Sequence, residues 1–248
     1  MMLWYKAWRE SRARFLVAAA GLVVFVVWFM LTARTAFPPP QNPALPYTAF
    51  VYGYIWNPGP RVFVFVALLL GLGGLQRERA RATSGFTLAL PVSRLRLSAT
   101  RAAVGLLELA VLALTPAILI PTLSPLVVQQ TYPVWHGLKF SALFMSGGAV
   151  CFAVGFLWST VLAAEYTATA ACLVTPFAYI AIDANLSQVG RRFPATGPFD
   201  FMTSGGQVTE NGRGLLLDPL PWMTMLILVT VAAALLFTAA RVTRRQNF

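Results

Sequence analysis

A single carboxylate inside an apolar run is the residue of this sequence with the clearest potential for chemistry. Glu108 lies in VGLLELAVLAL, about two helical turns into a stretch long enough to cross a membrane. A carboxylate at that depth is costly, so it usually faces protein or water and often has a function. Glu108 is therefore a candidate for a translocation path or for a seam between two chains. The alternative is a buried carboxyl that is protonated, or bonded to a hydroxyl or backbone group.

Three common enzyme motifs are absent from the sequence. It contains no G-x-x-x-x-G-K-[ST] phosphate loop, no H-E-x-x-H pair and no G-x-S-x-G elbow. His136 is the single histidine and lies in a loop, which is typical of a surface residue. Cys151 and Cys172 lie in apolar runs, where cysteine behaves as a small hydrophobe. We therefore expect no catalytic residue, no metal and no cofactor on this chain.

The composition indicates a membrane protein. Hydrophobic residues make up 58% of the 248 residues and charged residues only 11%, whereas a soluble domain carries about a quarter charged residues. The net charge of +11 is concentrated at the ends of apolar runs, where it sets orientation in a membrane. Because no contiguous soluble basic face exists, we expect no nucleic-acid partner.

The pattern of apolar runs predicts one all-α integral membrane domain over residues 1–248. We expect an N-terminal amphipathic helix on the membrane surface at 1–14, and six spans at 15–33, 60–76, 102–122, 140–162, 168–182 and 222–240. The remaining long segments are 77–101 and 183–221. The start of the second span stays open, because Asn57-Pro58-Gly59-Pro60 breaks any helix. Either the preceding residues also enter the membrane, or the helix continues into Arg77.

The distribution of basic residues predicts the orientation. Six spans place both termini and segment 77–101 on one side, which carries thirteen lysines and arginines, against six on the other side. Positive charge accumulates on the cytoplasmic side, so we expect both termini and 77–101 in the cytoplasm and 183–221 outside. The excess of arginine over lysine is typical of a GC-rich bacterial genome. The expected location is therefore the bacterial cytoplasmic membrane.

The stretch Gln76–Arg101 is the one long charged interruption between apolar runs. Glu78 and Arg81 lie on adjacent turns of a predicted short helix, a turn follows at Leu90-Pro91, and Ser93 can cap a helix entering the third span. A short amphipathic helix outside the bilayer must bury its apolar face in headgroups, in its own bundle or in a partner. The alternative is a basic loop without a partner.

Residues Glu78–Arg94, ERARATSGFTLALPVSR, resemble the cytoplasmic segment of type-2 ABC transporter permeases. Glu78 matches the acidic position of that segment, Thr83 the threonine, and Leu90-Pro91-Val92-Ser93-Arg94 the closing motif. Ala82 stands where the family usually has glycine. The order of elements is also similar: a basic amphipathic start, six spans, and a long outer segment between spans 5 and 6.

The resemblance implies a permease that works with separate ATPase subunits. Two permease chains, identical or different, pair in the membrane, and two ABC ATPases that hold ATP and Mg dock below. Segment 77–101 then contains a coupling helix, while the outer segment forms short re-entrant helices near the outer gate. The carry-over predicts that the ATPase is contacted by Glu78, Arg79, Arg81, Thr83, Leu90, Pro91 and Arg94.

The sequence therefore favours a non-enzymatic subunit of an ATP-driven exporter, surrounded by lipid. Two other classes stay open. A membrane enzyme acting on lipid-linked substrates would need a polar catalytic cluster at one face, where this chain offers mostly arginines. A secondary transporter usually needs paired ionisable groups within its spans, and Glu108 is the one clear case here.

Overall fold

A computed structural model describes residues 2–36, 47–72, 93–162, 165–188, 201–202, 216 and 219–245. The secondary structure of these residues is helical, without a strand. We label the helices in chain order as α1 (Met2–Ala36), α2 (Tyr47–Val51), α3 (Gly59–Gly71), α4 (Arg94–Val127), α5 (Val134–Val161), α6 (Glu165–Gln188) and α7 (Trp222–Arg245). A single π-helical turn, Tyr52–Trp56, lies between α2 and α3.

Within the described residues, 5 stretches are long and apolar enough to cross a membrane: Leu3–Thr35, Tyr47–Gly71, Leu95–Val127, Val134–Val161 and Trp222–Arg244. The expected all-helical, multi-pass class is thus supported. The fifth predicted span, 168–182, lies within α6, which is a helix of 24 residues but is not among these stretches. The sixth crossing and the orientation stay predictions.

Helix α1 is continuous over 35 residues. Residues 2–14, expected as a separate surface helix, continue directly into the first span without a break. At 1.5 Å per residue the helix is about 52 Å long, which exceeds a hydrocarbon core of about 30 Å. Part of α1 therefore extends beyond the hydrocarbon, even though it is one helix with the span.

The break before the second span does not end the apolar stretch. Tyr47–Trp56 is helical, and with α3 it forms the candidate crossing Tyr47–Gly71. The residues before the break thus belong to the same apolar stretch as α3, as the first alternative predicts, while continuation into Arg77 stays a prediction. Helix α3 ends at Gly71, and Arg77 lies outside the described residues.

Aromatic side chains fix this second crossing to the bundle. Trp56 is fully buried and stacks on Phe140 of α5, with ring centroids 4.7 Å apart. Its indole N–H donates to the hydroxyl of Tyr132, at 3.0 Å, in the connection between α4 and α5. Burial raises the pKa of Tyr132 above its usual range, so this acceptor stays neutral. Trp56 therefore belongs to the core and not to a membrane interface.

Helix α4 begins where the sequence predicts and ends later. The backbone N–H of Arg96 donates to the Ser93 hydroxyl at 3.3 Å, which confirms Ser93 as the N-cap. The sequence predicts that the third span ends at residue 122. The helix instead continues through Pro116, Pro121 and Pro125 to Val127.

Helix α5 lies at the centre of the bundle and contacts α3, α4, α6 and α7. Its backbone touches that of α3 directly. A Cβ atom added to Gly155 would lie 2.5 Å from the Leu68 carbonyl oxygen, and one added to Gly71 would lie 2.4 Å from the Phe152 carbonyl oxygen. Only glycine permits such an approach. Gly71 and Gly155 thus form a close contact between α3 and α5.

Candidate functional site

The residues predicted to contact an ATPase fall mostly outside the described part of the chain. This holds for Glu78, Arg79, Arg81, Thr83, Leu90 and Pro91. Arg94 is the first residue of α4, and only its backbone is described. Glu108 is the predicted site residue whose side chain the structure places.

Glu108 lies on the face of α4 that packs against α1. Its side chain is 3% exposed, and its Oε1 accepts a hydrogen bond from the hydroxyl of Ser11, which is 8% exposed. Among the described residues, no donor reaches Oε2. A buried acceptor without a hydrogen-bond partner costs about 1–3 kcal/mol, so Oε2 of Glu108 destabilises the folded state. The contact with Ser11 corresponds to the alternative of a carboxyl bonded to a hydroxyl.

Arg14 lies near the same carboxylate and joins α1 to α3. It follows Ser11 by about one helical turn, and its positive charge acts on Glu108. Its guanidinium Nη1 donates to the Leu69 carbonyl oxygen at 3.1 Å, close to the end of α3. The guanidinium therefore holds the end of α3 against α1.

An ion pair links α1 to the beginning of α4. Arg101 Nη2 donates to Glu10 Oε2 at 2.9 Å, and Lys6 Nζ lies 3.8 Å from Glu10 Oε1. The Arg101 side chain is only 9% exposed, so part of this contact is shielded from solvent. Arg101 and Glu108 are about two turns apart on one face of α4. We call Glu10, Ser11, Arg14, Arg101 and Glu108 the polar seam.

The polar seam joins the first turns of α1 to the first half of α4, because the two helices run in the same direction. At their other ends, the Tyr47 hydroxyl lies 2.7 Å from Ser124 Oγ of α4 and donates to Met30 Sδ of α1 at 3.4 Å. Parallel packing thus brings residue 11 level with residue 108. The first turns of α1, rich in lysine and arginine, therefore lie beside the buried carboxylate.

The seam also brackets the segment that carries the predicted partner contacts. Helix α3 ends at Gly71, and α4 begins at Arg94, directly after its N-cap Ser93. Arg14 bonds to Leu69, about one helical turn before residues 73–92, and Glu10 bonds to Arg101, about two turns into α4. Both attachment points of that segment are thus bonded to the same helix.

A groove opens between the first turns of α1 and the middle of α4. It has a volume of about 430 Å³, and its lining residues are Trp4, Tyr5, Trp8, Phe15, Val104, Leu107, Glu108 and Val111. The rings of Trp8 and Phe15 pack with centroids 5.5 Å apart. Glu108 is the one carboxylate in this otherwise apolar lining.

A second buried cation lies at the opposite end of the bundle. Lys139 of α5 is 9% exposed and donates from Nζ to the Leu216 carbonyl oxygen at 2.8 Å. Leu216 is itself buried, as are Phe201 and Met202. Residue 216 of the predicted outer segment is thus attached to the bundle by Lys139, one of the six basic residues on the predicted outer side.

Sequence reasoning located Glu108 and missed its neighbours. Ser11 and Arg14 have a recognisable signal, since they lie on one face of a basic amphipathic helix. Nothing in the sequence pairs that face with residue 108. The described residues contain no group of three or more histidines, cysteines and acidic residues that could hold a metal. The arrangement joins α1 to α3 and α4, and it includes Glu108, one of the residues that line the groove.

Comparison with known proteins does not assign the chain to a family. No protein-family model matches the chain, and no curated protein matches its sequence.

Proposed function

We propose that this chain is the permease subunit of an ATP-driven ABC exporter. It pairs with a second permease chain in the bacterial cytoplasmic membrane, with both termini in the cytoplasm. Hydrolysis of ATP, with Mg, takes place on a separate ABC ATPase. The support is the resemblance of Glu78–Arg94 to the coupling segment of such permeases, together with an all-helical body that has several apolar helices of membrane length.

The observation that carries the proposal is the bracketing of residues 73–92 by α1. A partner that grips this segment pulls on the end of α3 and on the start of α4. Because Arg14 bonds near the first point and Glu10 near the second, α1 moves with both. Charged contacts at these two points thus suit a mechanism in which the ATPase reorients α1, α3 and α4 together. A basic loop without a partner has no need of this arrangement.

Within this proposal, the ATPase is contacted by Glu78, Arg79, Arg81, Thr83, Leu90, Pro91 and Arg94. Glu78 is the most useful residue to test, because it is the one acidic side chain among several arginines. Reversal of its charge places a further cation in a basic segment. A place for Glu108 on the translocation path, or at a seam between two permeases, stays a prediction.

The experiment is affinity purification of the full chain from its native host in a mild detergent, with quantitative mass spectrometry. We expect an ATPase with a phosphate loop to copurify in near-equal amount. Glu78→Arg should lower its yield about tenfold, as loss of a specific interfacial charge does. Glu210→Arg is the matched control, since it makes the same change in the predicted outer segment. Purification without an ATPase, or an equal yield from Glu78→Arg, would contradict the proposal.

A further inference from the structure

The groove between α1 and α4 contains a polar atom that its own walls do not satisfy. Glu108 is 3% exposed, and its Oε2 has no hydrogen-bond donor within the described residues. Ser11 is bonded to the other oxygen, Oε1. Arg14, the nearby cation on α1, directs Nη1 to the Leu69 carbonyl oxygen. A ligand in the groove that carries an N–H donor would supply the missing hydrogen bond to Oε2.

The groove walls specify the charge of that ligand. Aside from Glu108 the lining consists of aromatic and aliphatic side chains, among them Trp4, Tyr5 and Trp8. A carboxylate among apolar walls repels an anion and attracts a cation, and aromatic faces also attract an ammonium group. The chemistry therefore fits a primary ammonium, which supplies both a positive charge and N–H donors.

The continuation of the groove specifies the rest of the ligand. Leu107 and Val111 line it and are 59% and 53% exposed. Leu114 and Ile118, with exposures of 40% and 58%, extend the same apolar face along α4 towards the far end of the bundle. An acyl chain can lie along this face while its headgroup stays at the level of Glu108.

A phosphate next to the ammonium would also find a complement. At 100° per residue, Arg12 lies between Trp8 and Tyr5 on the helical wheel of α1, and it is exposed. The depth is suitable as well, because the groove lies beside the basic first turns of α1, where lipid headgroups meet the protein. The protein thus offers an anionic, a cationic and an apolar feature, which are complementary to the ammonium, the phosphate and the acyl chain of one zwitterionic lipid.

We propose that the groove is a binding site for phosphatidylethanolamine from the adjacent leaflet. Its ammonium donates to Glu108 Oε2 beside Trp4 and Trp8, its phosphate faces Arg12, and an acyl chain follows Leu107 and Val111 along α4. The bound lipid joins the first turns of α1 to α4 as a resident component. This inference does not depend on the proposed ATPase partner.

The test is native mass spectrometry of the purified full chain, titrated with phosphatidylethanolamine, phosphatidylcholine or phosphatidylglycerol of identical acyl chains. Phosphatidylcholine keeps the positive charge and loses the N–H donors, whereas phosphatidylglycerol has no ammonium. We expect phosphatidylethanolamine to bind about tenfold more tightly than either, the effect of one charge-assisted hydrogen bond. Glu108→Gln keeps an acceptor for Ser11, removes the charge, and should abolish this preference.

Two further variants keep the test decisive. Glu10→Gln is the matched control: it removes one carboxylate from the same seam, outside the groove lining, and should keep the preference. Val111→Trp, at an exposed position, should block binding even if Glu108→Gln fails to fold. Equal binding of the three lipids, an unchanged preference in Glu108→Gln, or a second copy of the chain in place of lipid would overturn the proposal.

Discussion

The hydroxyl of Ser11 donates to the carboxyl of Glu108 across 97 positions of the sequence. Both side chains are buried, at 8% and 3% exposure. The bond therefore fixes one register of α1 against α4. A shift of either helix by a single residue would rotate one partner by about 100° and leave Glu108 without a donor on either oxygen.

Removal of this donor should destabilise the chain. We expect Ser11→Ala to lower the free energy of unfolding by about 1–3 kcal/mol, because it leaves a buried acceptor unpaired. Unfolding followed by tryptophan fluorescence in detergent measures the change. Ser146→Ala is the control, since the Ser146 hydroxyl bonds to carbonyls of its own helix, Ala142 and Leu143. Equal losses in the two variants would show that the bond between helices contributes nothing specific.

The ion pair between Glu10 and Arg101 should show charge complementarity. Arg101→Glu places two carboxylates opposite each other and should cost about 0.5–1 kcal/mol, a range set by the partial exposure of Glu10. The double variant Glu10→Arg with Arg101→Glu should recover most of the loss. A double-mutant cycle of thermal unfolding, at low and high salt, isolates the pair.

Arg9→Glu serves as the reference for that cycle, because Arg9 is exposed on the same helix. It should shift stability little, and in combination with Arg101→Glu it should recover none of the loss. Failure of the swapped pair to recover stability would mean that the arginine acts through packing of its stem and not through its charge.

The crossing of α3 and α5 should tolerate no side chain at its glycines. Gly155→Ala would place a Cβ atom 2.5 Å from the Leu68 carbonyl oxygen and must push the helices apart. We expect a loss of about 1–3 kcal/mol, as overpacking usually causes. Gly21→Ala in α1 is the opposite case: a Cβ atom there meets nothing within 4 Å, so higher helix propensity should leave stability equal or raised. Thermal unfolding of both variants compares them, and equal behaviour would contradict direct backbone contact.

Lys139 should control access to residue 216. In a Leu216→Cys background, the new thiol should react slowly with a maleimide, because Leu216 is 2% exposed and held by Lys139. Lys139→Leu removes the donor and should raise the labelling rate about tenfold, the effect of one lost hydrogen bond to a charged group. Arg61→Leu, an exposed cation near the same end, should not. Cys151 and Cys172 are buried and should contribute little background.

Local sequence patterns were sufficient to predict much of this fold and one residue of the candidate site. The Ser93 cap could be predicted because capping depends on a side chain and the turn that follows it. Glu108 could be identified because a carboxylate in an apolar run is unusual. The length of α4 could not be predicted, since its three prolines are tolerated only where tertiary packing supports the helix.

The hydrogen-bond partner of Glu108 could not be predicted from the sequence either. Parallel packing of α1 and α4 is a long-range property, and no local pattern shows that residue 11 is level with residue 108. The same reason explains Trp56. Its position after a tyrosine-rich stretch is typical of a membrane interface, yet the stack on Phe140, distant in the chain, places it in the core.

The central place of α5 has a consequence for how the protein is made. Synthesis proceeds from the N-terminus, so α1, α3 and α4 leave the ribosome before the helix that α3 packs against. Until residue 155 has been added, the narrow backbone contact at Gly71 has no counterpart. The contacts between α1 and α4, by contrast, can form earlier. The polar seam is therefore available as the first fixed point of assembly, and the bundle closes around it when α5 arrives.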